Sequence, residues 1–393
     1  MELLACTVQE YAWGDTNSIP HLLGQEPDGS PKAELWMGAH PRASSRLSSG
    51  ESLGELIASD PEVALGATAA QRFGQLPFLF KVLAAGEPLS IQSHPTLAQA
   101  EAGFARENEA GVPIDAPHRV YRDANHKPEL IAALTPFHGK CGFRPLAESR
   151  RLFSLLVSGG EARALARLTE ILFEPGDDRN VYQNAIAYLL GAPDSQEEEM
   201  AIATVAGAEA LMASDSEAVT GFLLDLEWTG RIAASFPGDI GVTVALLLNH
   251  VVLEPGQAMF LDAGNLHAYL SGVGMELMAN SDNVVRGGLT PKHRDVAELL
   301  AIVNCSPIEV PVQQPLSETW SYEAPVAEFA LDRIVDPDGS FPVTGPEILF
   351  IQNGSVDLSG FRANAGEVVW IPASQEAYSA QGEATIWRAR VPA

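Results

Sequence analysis

Leu89-Ser90-Ile91-Gln92-Ser93-His94-Pro95 decides how the chain is read. An alternating segment of this kind predicts a strand, and side chains two residues apart leave the same face of a strand. Gln92 and His94 therefore point together, with Ile91 and Ser93 on the opposite face. An amide oxygen and an imidazole on one face are two metal ligands, too few to hold an ion. The sequence offers the rest in two places, His126-Lys127-Pro128-Glu129 and Gly264-Asn265-Leu266-His267. Pro128 disfavours helix and keeps its predecessor extended, so Lys127 and Glu129 are expected to share a face and His126 to turn away.

Outward from this stretch the pattern stays extended. Pro77 to Leu83 reads as a buried strand that turns at Gly86-Glu87-Pro88, and Thr96 is a plain N-cap for a helix over residues 97–108. The first fifty residues alternate short apolar runs with Gly, Pro and Ser, as in Ala12-Trp13-Gly14 and Glu34-Leu35-Trp36-Met37-Gly38. Residues 52–73 read as helix, broken and restarted at Asp60-Pro61. Beyond Leu146 the period becomes helical to about Phe236, with Leu165, Leu168 and Leu172 and then Tyr182, Ile186 and Leu189 on common faces. This part is expected to be a separate helical domain without chemistry. Strands are expected to resume near Ile240, with residues 242–253 a buried strand pair or core segment.

Composition narrows the class. At 393 residues and 46% apolar content the chain can bury a large core, and its length favours two or three domains. Cys6, Cys141 and Cys305 are too few and too scattered for a disulfide framework or a CxxC metal site, and the N-terminus lacks a basic region followed by an apolar run. A cytoplasmic protein is expected. A formal charge of −27 argues against nucleic acid and acidic membranes as partners, but not against a small anion. Screening acts over about 8 Å at physiological salt, so a few cations in a pocket can override a distant acidic surface. Of only five lysines, Lys127 and Lys292 both fall inside motif-like stretches.

The segment from Gly256 to His267 resembles the second cupin motif, in which Gly, five residues, Pro, one residue, Gly and two residues precede a metal-binding His. Gly256, Gly264 and His267 keep that spacing, with Asp262 in place of Pro. The tail repeats the pattern in weaker form. A hairpin turning at Asn353-Gly354 is expected, followed by Gly366 and Pro372 at cupin spacing, with Ala377 where His would stand. The resemblance implies a mainly β fold with helices. A cupin-type jelly-roll catalytic domain is expected over residues 1–146 and 238–309, an inserted all-helical domain over 147–237, and a second, degenerate and metal-free cupin jelly roll over 310–393.

Longer motifs are more specific. Tyr11-Ala12-Trp13-Gly14, Glu34 to Gly38, Leu89 to Pro95, His126 to Glu129, and Asn280-Ser281-Asp282-Asn283-Val284-Val285-Arg286-Gly287-Gly288-Leu289-Thr290-Pro291-Lys292 resemble type I phosphomannose isomerase, and they run in that family's order. The resemblance implies one zinc ion held by Gln92, His94, Glu129 and His267, and interconversion of mannose 6-phosphate with fructose 6-phosphate through a cis-enediol. It also implies Arg286 as a catalytic residue, with Ser90 and Lys292 near the phosphate.

The chemistry asks for the same groups. Aldose-ketose isomerisation removes a proton beside a carbonyl and builds charge on oxygen, so it needs a base and an electrophile. Two imidazoles with amide and carboxylate oxygens suit zinc. Arg286 is expected either to stabilise the enediolate or to bind phosphate. For the base, Lys127 and Glu276 are taken as a pair, with Asp282 and His126 as alternatives. A structural reading of Glu276 is a buried ion pair with Arg286. Asp282 and Trp13 are candidate substrate contacts, Trp13 and Trp36 being pocket wall or core. The partner is then a small sugar phosphate, and the protein a monomer. Two other readings compete: an iron or manganese cupin oxygenase, disfavoured by Gln92 at the start of the QxH pair, and a non-catalytic sugar-phosphate-binding protein, disfavoured by the complete ligand set and Arg286.

Overall fold

The computed structural model describes residues 1–160, 162–214 and 216–392. The chain is mainly β with helices, and its strands form one sheet system of eleven strands and another of eight. The eleven-stranded system is organised around His267–Ala279. This strand changes partners along its length. Its first part pairs with Ile91–Ser93 and Phe137–Phe143, its second with Phe78–Ala85 and Glu129–Ala133. The switch follows a register shift between Tyr269 and Ser271. Gly272 makes it possible: its φ is +113°, and a Cβ there would stand 2.6 Å from the Pro136 carbonyl oxygen.

Alternation then sorts the side chains of this sheet. Ile91, Leu266, Ala268, Leu270 and Val285 face outward into a buried cluster shared with the helices Leu146–Ser158, Asp178–Leu190 and Leu223–Ser235. Gln92, His267 and Arg286 occupy the intervening positions and face inward. The helices between residues 146 and 235 thus share one continuous core with this face of the sheet. They back the wall that carries the polar row, and a one-residue slip of any strand there would turn those side chains into the helical core.

A second cluster joins the two sheet systems. Phe78, Phe80 and Val82 pack with Leu331, Phe350, Trp370 and Trp387. The opposite face of Phe78–Ala85 looks inward and carries Lys81 among Leu79, Leu83 and Ala85.

Several local expectations hold. Thr96 caps its helix, in a capping box with Gln99. The helix broken at Asp60-Pro61 appears as Leu53–Ser59, Pro61–Leu65 and Ala67–Phe73. Others differ. Residues 242–253 are not a strand pair: Gly241–Ala245 is a short buried helix and Leu248–Leu253 a strand. Period alone does not separate the two in a short, mostly apolar run. Asp239 sets the helix, its Oδ1 accepting from the Gly241 and Leu289 backbone N–H groups. Asn353-Gly354 is no hairpin turn either. It lies inside the continuous strand Glu347–Leu358, where the register shifts by a bulge between Ile351 and Asn353, and the chain reverses at Ser359-Gly360 instead. Strand pairing also crosses the expected domain limits: Glu2–Leu3 pairs with Val368–Ile371, and Val312–Gln313 with Ala258–Leu261. Two-residue strands carry no period by which to find them.

Candidate metal and sugar-phosphate site

The register places Arg286 opposite Gln92 and Gln92 opposite His267, one row across three strands. Glu129 enters from the adjoining part of the sheet, opposite Met278. Its carboxylate sits between two imidazoles, with Oε1 3.5 Å from His94 Nε2 and Oε2 3.3 Å from His267 Nε2. All three side chains are at most 2% exposed.

Hydrogen bonds fix the tautomers. His94 Nδ1 lies 2.8 Å from the Asn283 carbonyl oxygen and His267 Nδ1 3.0 Å from that of Asn265. A carbonyl only accepts, so each Nδ1 carries the proton and each Nε2 presents a lone pair. Burial, and then the Lys127 charge, push the His94 imidazole down to about 4, so it is neutral at physiological pH. Two lone pairs thus face a carboxylate, and His94 Nε2, His267 Nε2 and Glu129 Oε2 are buried without a hydrogen-bond partner. Three converging acceptors with no donor are costly to bury. A divalent cation removes that cost, and the ligand atoms lie within 4.8 Å of one another. Imidazole and carboxylate donors with backbone-anchored Nδ1 groups fit zinc.

Lys127 links this cluster to a cavity of about 510 Å³, within the range of small-ligand sites. Its Nζ is 2.9 Å from Glu129 Oε1, which confirms that the two share a face, while His126 turns away and meets Glu328 at 3.0 Å. Trp13, Lys127, Asp282, Arg286 and Lys292 all line the cavity. Ser90, half-buried just before Ile91, is not in its lining, and Asp282 holds Arg42 at 2.9 Å.

Glu276 does not pair with Arg286. Its Oε2 is 2.8 Å from Lys81 Nζ, because Glu276 and Lys81 are register partners on adjacent strands, whereas Arg286 belongs to the other part of the sheet. Lys81 also reaches Glu34 at 3.3 Å, and Glu34 accepts from Trp36 Nε1 at 2.7 Å. Burial opposes the Lys81 charge, but Glu276 and Glu34 outweigh it and raise its pKa. For Glu276 burial prevails and raises the pKa. Lys81 lines the cavity and Glu276 lies behind it. Sequence reasoning missed Lys81 and Glu34, although a lysine in the otherwise apolar run Phe78–Ala85 was a visible signal.

Fold and site together define a mainly β protein with a buried cluster of N and O ligands suited to a metal ion, beside a cation-lined cavity. The family model for the type I phosphomannose isomerase catalytic domain matches residues 1–146. The mannose-6-phosphate isomerase of Escherichia coli K12 is 39% identical over 99% of both chains, and that of Bos taurus 36% identical over 90% of this chain and 86% of its own. Among solved structures, a mannose 6-phosphate isomerase bound with zinc and yttrium superposes with a TM-score of 0.89 at 36% identity, covering 100% of both chains. A mutant of phosphomannose isomerase from Salmonella typhimurium gives the same score, identity and coverage. The chain belongs to the mannose-6-phosphate isomerase family.

Proposed function

We propose that the chain interconverts D-mannose 6-phosphate and D-fructose 6-phosphate by proton transfer through a cis-enediol(ate), with one zinc ion held by Gln92, His94, Glu129 and His267. The observation that carries this is the set of three buried, donor-less ligand atoms facing one another beside the cavity. The chemistry such an ion supplies when bound is Lewis-acid polarisation of the sugar carbonyl.

The chain's own groups do the rest. Arg286, whose pKa burial lowers first and Arg122 second, faces inward beside Gln92 and offers a planar fork to developing oxyanion charge or to phosphate. Lys292 takes the phosphate, with Ser90 just before the strand Ile91–Ser93 that pairs with the Arg286 strand. Lys127 and Glu276 serve the proton transfer. Glu276, its pKa raised by burial, can hold a proton, and Lys81 stands between it and the cavity. Trp13 and Asp282 bound the sugar on the wall and rim.

The eleven-stranded system is read as the cupin-type catalytic unit over residues 1–146 and 238–309, the helices as the insertion over 147–237, and the eight-stranded system as a degenerate, metal-free cupin over 310–393. A cytoplasmic monomer without nucleic-acid or membrane partners accords with three free cysteines and a net charge of −27. Among the described residues no helix is long and apolar enough to cross a membrane. The role would be in mannose catabolism or in the supply of mannose 6-phosphate for activated mannose. A coupled assay that detects fructose 6-phosphate from mannose 6-phosphate tests the reading. Turnover supports it, and tight binding of the sugar phosphate without turnover would instead favour a binding protein.

A further inference from the structure

We propose that Arg122 is a third cation of the phosphate subsite, acting with Arg286 and Lys292 so that this chain selects the phosphorylated sugar by charge. The inference rests on the reading of the cavity as a sugar-phosphate site and adds a residue which that reading does not contain.

Charge pairing separates the cavity's cations into two groups. Lys81, Lys127 and Arg42 each have a carboxylate, from Glu276, Glu129 and Asp282. Among the described residues, no carboxylate lies within ion-pair distance of Arg122, Arg286 or Lys292, although all three line the same cavity. The guanidinium of Arg122 makes one long contact, Nη1 donating to the Ile114 carbonyl at 3.4 Å. The three also feel one another. Burial first and then Arg122 disfavour the charge on Arg286, and burial, Arg286 and Arg122 disfavour that on Lys292. Acidic residues outnumber basic ones 51 to 24 in this chain, so three neighbouring cations without a carboxylate form an arrangement that an anion completes.

The position of Arg122 is also built. Asn283, fully buried, accepts from the Arg122 backbone N–H at 2.7 Å through Oδ1, and its Nδ2 donates to the Asp123 and Asn125 carbonyls, each at 2.9 Å. Three residues beyond Asn283 the chain reaches Arg286. One buried amide thus fixes the backbone of both arginine-bearing segments, which sets where a fork from each side reaches into the cavity. Of the possible anions, a phosphate dianion fits three converging cations better than a carboxylate, having more charge and more acceptor oxygens.

The test uses the zinc-loaded 393-residue chain and its Arg122→Ala, Arg122→Lys, Arg286→Ala and Lys292→Ala variants. It reads KM for mannose 6-phosphate and competitive inhibition by inorganic phosphate. Arg122→Ala is expected to raise both the KM and the phosphate inhibition constant by about fivefold, as for a partly exposed charge contact. The expected gap narrows at high salt, Arg122→Lys recovers part of it, and zinc content stays at the parent level. If Arg122→Ala leaves phosphate inhibition unchanged while Lys292→Ala weakens it, Arg122 is outside the subsite and the phosphate reading stands. If none of the three alanine variants weakens it, the phosphate reading of this cavity falls as well.

Discussion

Lys81 Nζ lies 2.8 Å from Glu276 Oε2, and both side chains are buried in the wall of the sheet. Neither is free to lose its partner cheaply, since an uncompensated charge left in such a place destabilises by about 3–5 kcal/mol. Lys81→Ala is therefore expected to lower the thermal midpoint as well as the turnover. Lys81→Met combined with Glu276→Leu and with Glu34→Gln, since Glu34 also pairs with Lys81, should recover much of the stability and none of the activity. Thermal melts and the coupled assay on the two variants check this. Recovery of activity in the triple variant would mean that the pair is structural only.

Arg286→Ala should reduce turnover by about a hundredfold, the usual cost of removing a donor aimed at developing oxyanion charge, while zinc stays bound. Metal analysis beside steady-state kinetics separates the two effects. A loss confined to KM would instead make Arg286 a phosphate contact.

A buried network in the helical region predicts a pH dependence. Burial opposes the charge of Asp225, but Lys140 at its side and Arg144 at 2.7 Å outweigh it and hold the carboxyl down to about 2, from an ordinary value of 3.8. A carboxyl held below its unfolded value stabilises the fold fully above that value, and the contribution fades as pH falls through the folded one. The network should thus add about 2 kcal/mol above pH ~4 and lose it by pH ~2. Urea unfolding of the parent and Asp225→Asn across this range measures it. The difference between them should shrink toward the acid end, and a constant difference would exclude the linkage.

What could be read from the sequence followed from local rules. The spacing of Gln92 and His94, the extended form imposed by Pro128 and the cap at Thr96 depend on neighbours within a few residues. The parts that escaped depend on distant ones. Glu276 and Lys81 meet across 195 residues, and no pattern in either strand says which cation the carboxylate will find. Asn283 sits within the motif Asn280 to Lys292, yet its clamp on residues 122–125 appears only when two loops meet. Asn353-Gly354 has hairpin chemistry, but Gly354 has a φ of +71° inside a strand, and a Cβ there would stand 1.9 Å from the Glu383 carbonyl oxygen. The glycine answers a neighbouring strand, not a turn.

His94, Glu129 and His267 are proposed to hold the ion that the chemistry requires. Zinc content and mannose 6-phosphate turnover measured on the same samples test it most directly: parent, chelator-treated parent, zinc-restored parent and His267→Ala. Turnover should vanish with the chelator, return with zinc, and be absent in His267→Ala together with the metal. Full turnover in a metal-free sample, or zinc in His267→Ala equal to the parent, would contradict it.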